Sequence, residues 1–143
     1  MDAKQYMDEI VDPTIADFVA NPTSRRHAFL ACVVTFHTVD YLIRPKSPAS
    51  RRKSFADLSP EYRVVDRVTH AFKHVESRDN GDRKVPVFRS DDVINRPSGI
   101  LDEMILDLSR LDDPIGGVTI TSDDDSDLLQ TVQQAAEFLR RQL

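Results

Sequence analysis

The stretch "RRHAFLACVVTFHTVDYLIR", Arg25 to Arg44, decides the fold. Apolar residues fall on almost every side of its helical wheel: Phe29, Leu30, Val33, Val34, Phe36, Val39, Leu42 and Ile43. A helix without a wet face must be packed by neighbours on several sides. Ser24 stands before it as an N-cap and Pro45 after it as a stop. The spacing predicts a central helix over 25–44 inside a helical bundle. Its purely apolar run, Ala28 to Val34, is far too short to span a membrane.

Upstream, Tyr6, Met7, Ile10, Val11, Phe18 and Val19 recur at helical spacing, which predicts a first helix over 3–20. Either Pro13 kinks it, or Asp12 caps a second short helix with Pro13 at its first position. Downstream, "PKSPASRRKSF" reads as a basic connection, exposed and mobile. Ser59-Pro60-Glu61 then opens a helix running to about Arg78, and Asp79-Asn80-Gly81-Asp82 reads as a turn. "KVPVF" (Lys84–Phe88) and "GVTIT" (Gly117–Thr121) have strand character and pair as a hairpin-like ribbon. Between them Ile100, Leu101, Met104, Ile105, Leu108 and Leu111 keep helical spacing behind Ser98. Leu128, Leu129, Val132, Ala135, Ala136 and Leu139 form the apolar face of a terminal helix. The expected class is mainly α: an up-and-down helical bundle with a small β ribbon inserted before the C-terminal helix, one domain over 1–143.

The 143 residues carry a net charge of −5, and that figure hides a division. Residues 21–78 carry eleven Lys/Arg against five Asp/Glu, a balance of +6, while the rest of the chain stands at −11. A basic middle attracts either a phosphate-bearing partner or its own acidic flanks. Cys32 is the one cysteine and sits inside the apolar run, so an intrachain disulfide is excluded and a buried thiol expected. The first residues, Met1-Asp2-Ala3-Lys4, lack the pattern of an export signal. The expected compartment is the cytoplasm.

Chemistry concentrates in "RVVDRVTHAFKHV", Arg63 to Val75. On a helical wheel Val64, Val65, Val68, Ala71, Phe72 and Val75 form one apolar arc. Arg63, Arg67, His70 and His74 fall on a stripe roughly 60° wide on the far side. Two Arg-x6-His pairs overlap there, Arg63 with His70 and Arg67 with His74. Each pair points one way, about 10 Å apart along the axis, so both side chains can lean over one phosphate. The same four residues are what a solvated helix face would carry.

This stripe resembles the HEPN superfamily, small helical bundles that include RNases with an Arg-x4-6-His motif on a late helix. The resemblance implies metal-independent RNA cleavage, with histidine as general acid or base and arginine stabilising charge on phosphorus. It assigns those roles to Arg67 and His74, with Arg63 and His70 as a second register. It also implies a homodimer, RNA or a nucleotide as partner, and no cofactor. Active members usually place a polar residue directly after the arginine, where this chain has Val64 and Val68.

His70 and His74 are also spaced to share an ion, and His37 on the central helix could supply a third ligand. That set is distantly similar to DinB-like metal-binding bundles. Two guanidinium groups on the same stripe oppose a divalent cation unless Asp40 and Asp66 compensate, so no metal is expected. His37, Asp40 and Arg44 share one edge of the central helix and are expected to satisfy one another. The functional alternative to such a core network has Asp40 orienting His37, or reaching a histidine on the next helix. The acidic run Asp123–Asp127 fails as a calcium loop, with Leu128 at the glycine position and Gln134 at the final glutamate position. Gly116-Gly117 precedes a strand and reads as a turn, and Arg51-Arg52-Lys53 as a solvated loop.

Overall fold

A computed structural model describes residues 1–77, 88–106, 108–121 and 126–143. The expected turn over Asp79–Asp82, the first four residues of "KVPVF" and Asp123–Asp125 lie outside the described residues. The helices are α1 (Ala3–Tyr6), α2 (Asp12–Ala20), α3 (Arg25–Ile43), α4 (Ala49–Leu58), α5 (Pro60–His74) and α6 (Leu128–Arg140). The short strands are β1 (Glu76–Ser77), β2 (Phe88–Arg89), β3 (Val93–Arg96), β4 (Gly117–Ile120) and β5 (Ser126–Asp127). The molecule is mainly α, with a small antiparallel sheet preceding the last helix.

At the centre lies α3, packed against α2, α5 and α6. Ala28, Ala31, Cys32, Phe36 and Val39 are buried along it, as the all-round apolar pattern requires. Ser24 caps it by accepting from the His27 N–H at 3.4 Å. Its core partners include Val65 and Val68 of α5 and Val132, Ala135 and Leu139 of α6. The Cys32 thiol is fully buried, and burial pushes its pKa up, so it is an inert core group.

A second helix does begin here, one residue earlier than expected: Asp12 is the first residue of α2 and Val11, not Asp12, stands at its cap position. One π-helical turn, Met7–Val11, links α1 to α2, and Pro13 sits in the first turn of α2. The wider π-turn places a residue without an N–H where the α ladder restarts. Arg140 of α6 closes this end of the bundle with 2.6 Å contacts to both carboxylate oxygens of Asp12.

The connection after Pro45 differs from its sequence reading, because residues 49–58 form α4. Phe55 is its one buried side chain, edge-on to Tyr62 of α5 and Phe138 of α6 at 6.0 and 5.3 Å, with half-buried Ala56 packed against the core beside it. Ser59 both ends α4, donating its N–H to the Phe55 carbonyl at 2.9 Å, and caps α5, accepting from the Tyr62 N–H at 3.1 Å. Only this one residue separates α4 from α5, so the two helices fold back on each other.

Helix α5 stops at His74 rather than about Arg78. Val75 takes φ 70° and turns the chain into β1. β1 pairs antiparallel with β2, Glu76 opposite Arg89. The expected pairing of "KVPVF" with "GVTIT" is therefore corrected. β4 pairs instead with β3, Val93 opposite Ile120, and on its other side with β5, Thr119 opposite Asp127. Gly116, at φ 79°, makes the turn into β4, and a side chain there would strike the Arg96 carbonyl.

Among the described residues from Ile100 to Leu111, the helical spacing is not realised as a helix. The Gly99 N–H donates to the Asp113 carbonyl at 2.7 Å, and Arg96 pairs with Asp113 at 2.5 Å. A helix over those fourteen or so residues would hold its ends about 20 Å apart, so the closed loop excludes it. Ser98 is no cap, and its hydroxyl donates to the Glu103 carboxylate at 2.6 Å. As a result Leu101, Leu106, Leu111 and Ile115 are exposed. Among the described residues no helix is long and apolar enough to cross a membrane.

Candidate phosphate-binding site

Helix α5 carries the Arg/His stripe on the side facing α4. The stripe is covered only in part: Arg67 and His70 are half-buried, whereas Arg63 and His74 are exposed. A cleft of about 430 Å³ runs between the two helices, and Arg52, Lys53, Arg63, Arg67, Asp66 and His70 are among its walls. His74 is not part of that lining. Its ring lies 6.4 Å from that of His70, further along the helix. The two sequence pairs therefore separate, with Arg63 and His70 both in the cleft, and Arg67 there without His74.

Each cleft group is held by identifiable contacts. Arg63 donates Nε–H to the Ala56 carbonyl at 2.9 Å, tying α5 to α4 and leaving its Nη hydrogens for a ligand. The Arg67 guanidinium lies over the Phe88 ring, 5.3 Å from its centroid. His70 Nδ1 is 2.9 Å from the Asp66 carbonyl oxygen. A carbonyl only accepts, so Nδ1 carries the proton and Nε2 is the nitrogen left to give or take one. The Asp66 carboxylate stands 3.6 Å from the same Nδ1.

A second network meets the first at Phe36. His37 Nδ1 lies 2.7 Å from the Asp40 carboxylate, so Asp40 orients the imidazole with Nε2 outward. Asp40 also accepts from Arg52 of α4 rather than from Arg44. The Arg52 guanidinium is stacked on Phe36 at 4.1 Å, while His37 and His70 meet the same ring edge-on at 5.1 and 5.3 Å. This network is not in the core, since nearly half of the His37 side chain is accessible. Tyr62 lies beneath, its hydroxyl pKa raised chiefly by burial and further by Asp66.

Arg52 and Lys53 are the site residues that sequence reading missed. A faint signal exists: Ala49, Arg52, Lys53 and Ala56 follow i, i+3, i+4, i+7 spacing, and all four line the cleft. Two small and two basic residues make no hydrophobic stripe, so the pattern gives no helix until α5 is in place. Among the described residues, no group of three or more His, Cys, Asp or Glu side chains is arranged to hold a metal ion. In comparisons with known proteins, the chain matches no family model, no curated protein and no solved structure.

Proposed function

We propose that the protein is an RNA-binding helical bundle of HEPN-like type, working in the cytoplasm, whose α4–α5 cleft holds a phosphodiester. One observation carries this reading: Lys53, Arg63, Arg67 and His70 line a single cleft in the most basic part of an acidic chain. Guanidinium forks suit phosphate oxygens, and His70 Nε2 supplies acid–base chemistry without a metal. In cleavage, His70 takes the 2′-hydroxyl proton and the 2′-oxygen attacks phosphorus. The bond to the 5′-oxygen breaks, and that oxygen leaves with a proton from water. Arg63 and Arg67 neutralise the charge that builds on the phosphoryl oxygens. The test is labelled single-stranded RNA titrated with the protein at several salt concentrations, with cleavage followed in EDTA. Affinity should fall steeply with salt, and any cleavage should survive the chelator. Protein that neither binds nor cuts RNA refutes the reading.

A second reading is favoured by a separate observation. Leu101, Leu106, Leu111 and Ile115, all between β3 and β4, are each more than half exposed. On this reading the chain is an interaction module that homodimerises through that loop. Sedimentation analysis decides it: wild type should be dimeric and the Leu101→Ser/Leu111→Ser variant monomeric. A monomeric wild type excludes the dimer.

A further inference from the structure

A larger cleft, about 670 Å³, opens where the C-terminal end of α3 meets α1 and the start of α4. Its walls include Tyr6, Tyr41, His37, Arg44, Lys46 and Arg52. Arg52 also lines the α4–α5 cleft, so the two depressions share one wall. Their contents differ. The α4–α5 cleft offers charge, while this one combines cations with stacked aromatic rings.

Tyr6 and Tyr41 lie face to face, ring centroids 4.0 Å apart and planes 14° from parallel. Tyr6 is the anchored member: it is buried, and its hydroxyl donates to the Val34 carbonyl at 3.1 Å. Burial pushes its pKa up to about 12, so it stays a neutral donor. Tyr41 is only partly buried and borders the cleft, with Arg44 and Lys46 exposed beside it. A planar π-face backed by a second ring, with two cations alongside, fits a ligand that joins an aromatic ring to a phosphate. His37 Nε2, turned outward by Asp40, adds a polar group for a ring edge or a sugar hydroxyl.

We propose that this cleft is a nucleobase subsite for single-stranded RNA, with one base on Tyr41, its phosphate between Arg44 and Lys46, and the strand crossing Arg52 into the α4–α5 cleft. The inference rests on the RNA-binding reading above and adds to it a place where bases, not only phosphates, are recognised. Stacking tolerates any base because every base has a π-face, so the subsite confers single-strand preference rather than sequence preference.

The experiment compares two fluorescent probes of equal length and charge. One is an oligoadenylate of about eight nucleotides, the other its abasic ribose-phosphate counterpart. Each is titrated with wild type, Tyr41→Leu, Tyr41→Phe and Arg63→Ala. Tyr41→Leu keeps an apolar contact with Tyr6 while removing the π-face, and melting curves check the fold. The expected result is a loss of about tenfold for oligoadenylate in Tyr41→Leu, little change for the abasic probe, and recovery in Tyr41→Phe. Arg63→Ala should weaken both probes alike. Equal affinity of wild type for the two probes, or no selective loss in Tyr41→Leu, overturns the base subsite and leaves RNA binding standing. If wild type binds neither probe, the RNA-binding reading falls and takes the subsite with it. Should Tyr41→Leu fail to fold, the comparison of the two probes on wild type still decides.

Discussion

Arg52 lies over the ring of Phe36, its guanidinium carbon 4.1 Å from the ring centroid, and the same side chain pairs with Asp40. This contact docks α4 on α3 at a point where α4 has little apolar surface of its own. It also fixes the wall shared by the two clefts.

Replacing Arg52 with alanine should therefore lower stability by about 1–2 kcal/mol, the scale of a partly desolvated cation–π contact plus an ion pair. Thermal melting should shift down by about 3–8 °C. Arg52→Lys should recover only part of this, because an ammonium keeps the charge but not the planar stack. A melting curve unchanged by Arg52→Ala would mean that Phe55 and the Arg63–Ala56 hydrogen bond suffice to dock α4.

The two histidines of the stripe should not be equivalent. His70 lines the cleft with its tautomer set by the Asp66 carbonyl, whereas His74 lies outside it. If the protein cleaves RNA, His70→Ala should cost about 10²–10⁴-fold in rate, and His74→Ala far less. Exposed His74 should also tolerate substitution within about ±0.5 kcal/mol of stability. Matched cleavage assays and melting curves check both. The opposite ranking would restore the Arg67–His74 register that the motif resemblance puts first.

Acid should loosen the loop that follows β3. At Asp113, desolvation raises the carboxyl pKa, but hydrogen bonds from Arg96 and from the Gly116 and Ile115 backbones outweigh it, and the net shift is downward. A carboxylate with a depressed folded-state pKa stabilises the protein fully above its unfolded value of about 3.9. That contribution disappears as pH falls through the folded value. Asp113→Asn should thus be less stable than wild type at neutral pH, and the gap should narrow below about pH 4. Urea denaturation of both proteins across that range measures it. A gap independent of pH would mean that Asp113 acts by shape rather than by charge.

Val75 offers a gain. It takes φ 70° with a β-branched side chain that is 69 % exposed, so strain is present and little packing is at stake. Val75→Gly should raise stability by about 1 kcal/mol, read as a higher denaturation midpoint at unchanged slope. A lower midpoint would show that the Val75 side chain contributes more than the backbone loses.

The sequence by itself determined the helical frame. Residues 25–43 are apolar on almost every side, so burial among several partners suits them, and Ser24, Ser59 and Asp127 cap their helices by contacts to the third residue on. Such signals are local, and a reader of the chain can see them. The Arg/His stripe was legible in the same way, as residues sharing one face of α5. What the stripe faces was not. Helix α4 shows almost no apolar periodicity, and its position depends on Phe55 reaching Tyr62 and Phe138 and on Arg52 reaching Phe36 and Asp40, contacts distant in the chain. The loop from Gly99 to Asp113 makes the converse point. Its apolar residues repeat with helical period, yet Arg96 and the Gly99–Asp113 hydrogen bond bring its ends together, and a rod cannot close on itself. Helix pattern is written in neighbours three and four apart, whereas clefts and closed loops depend on which distant residues pack together, and only the tertiary structure decides that.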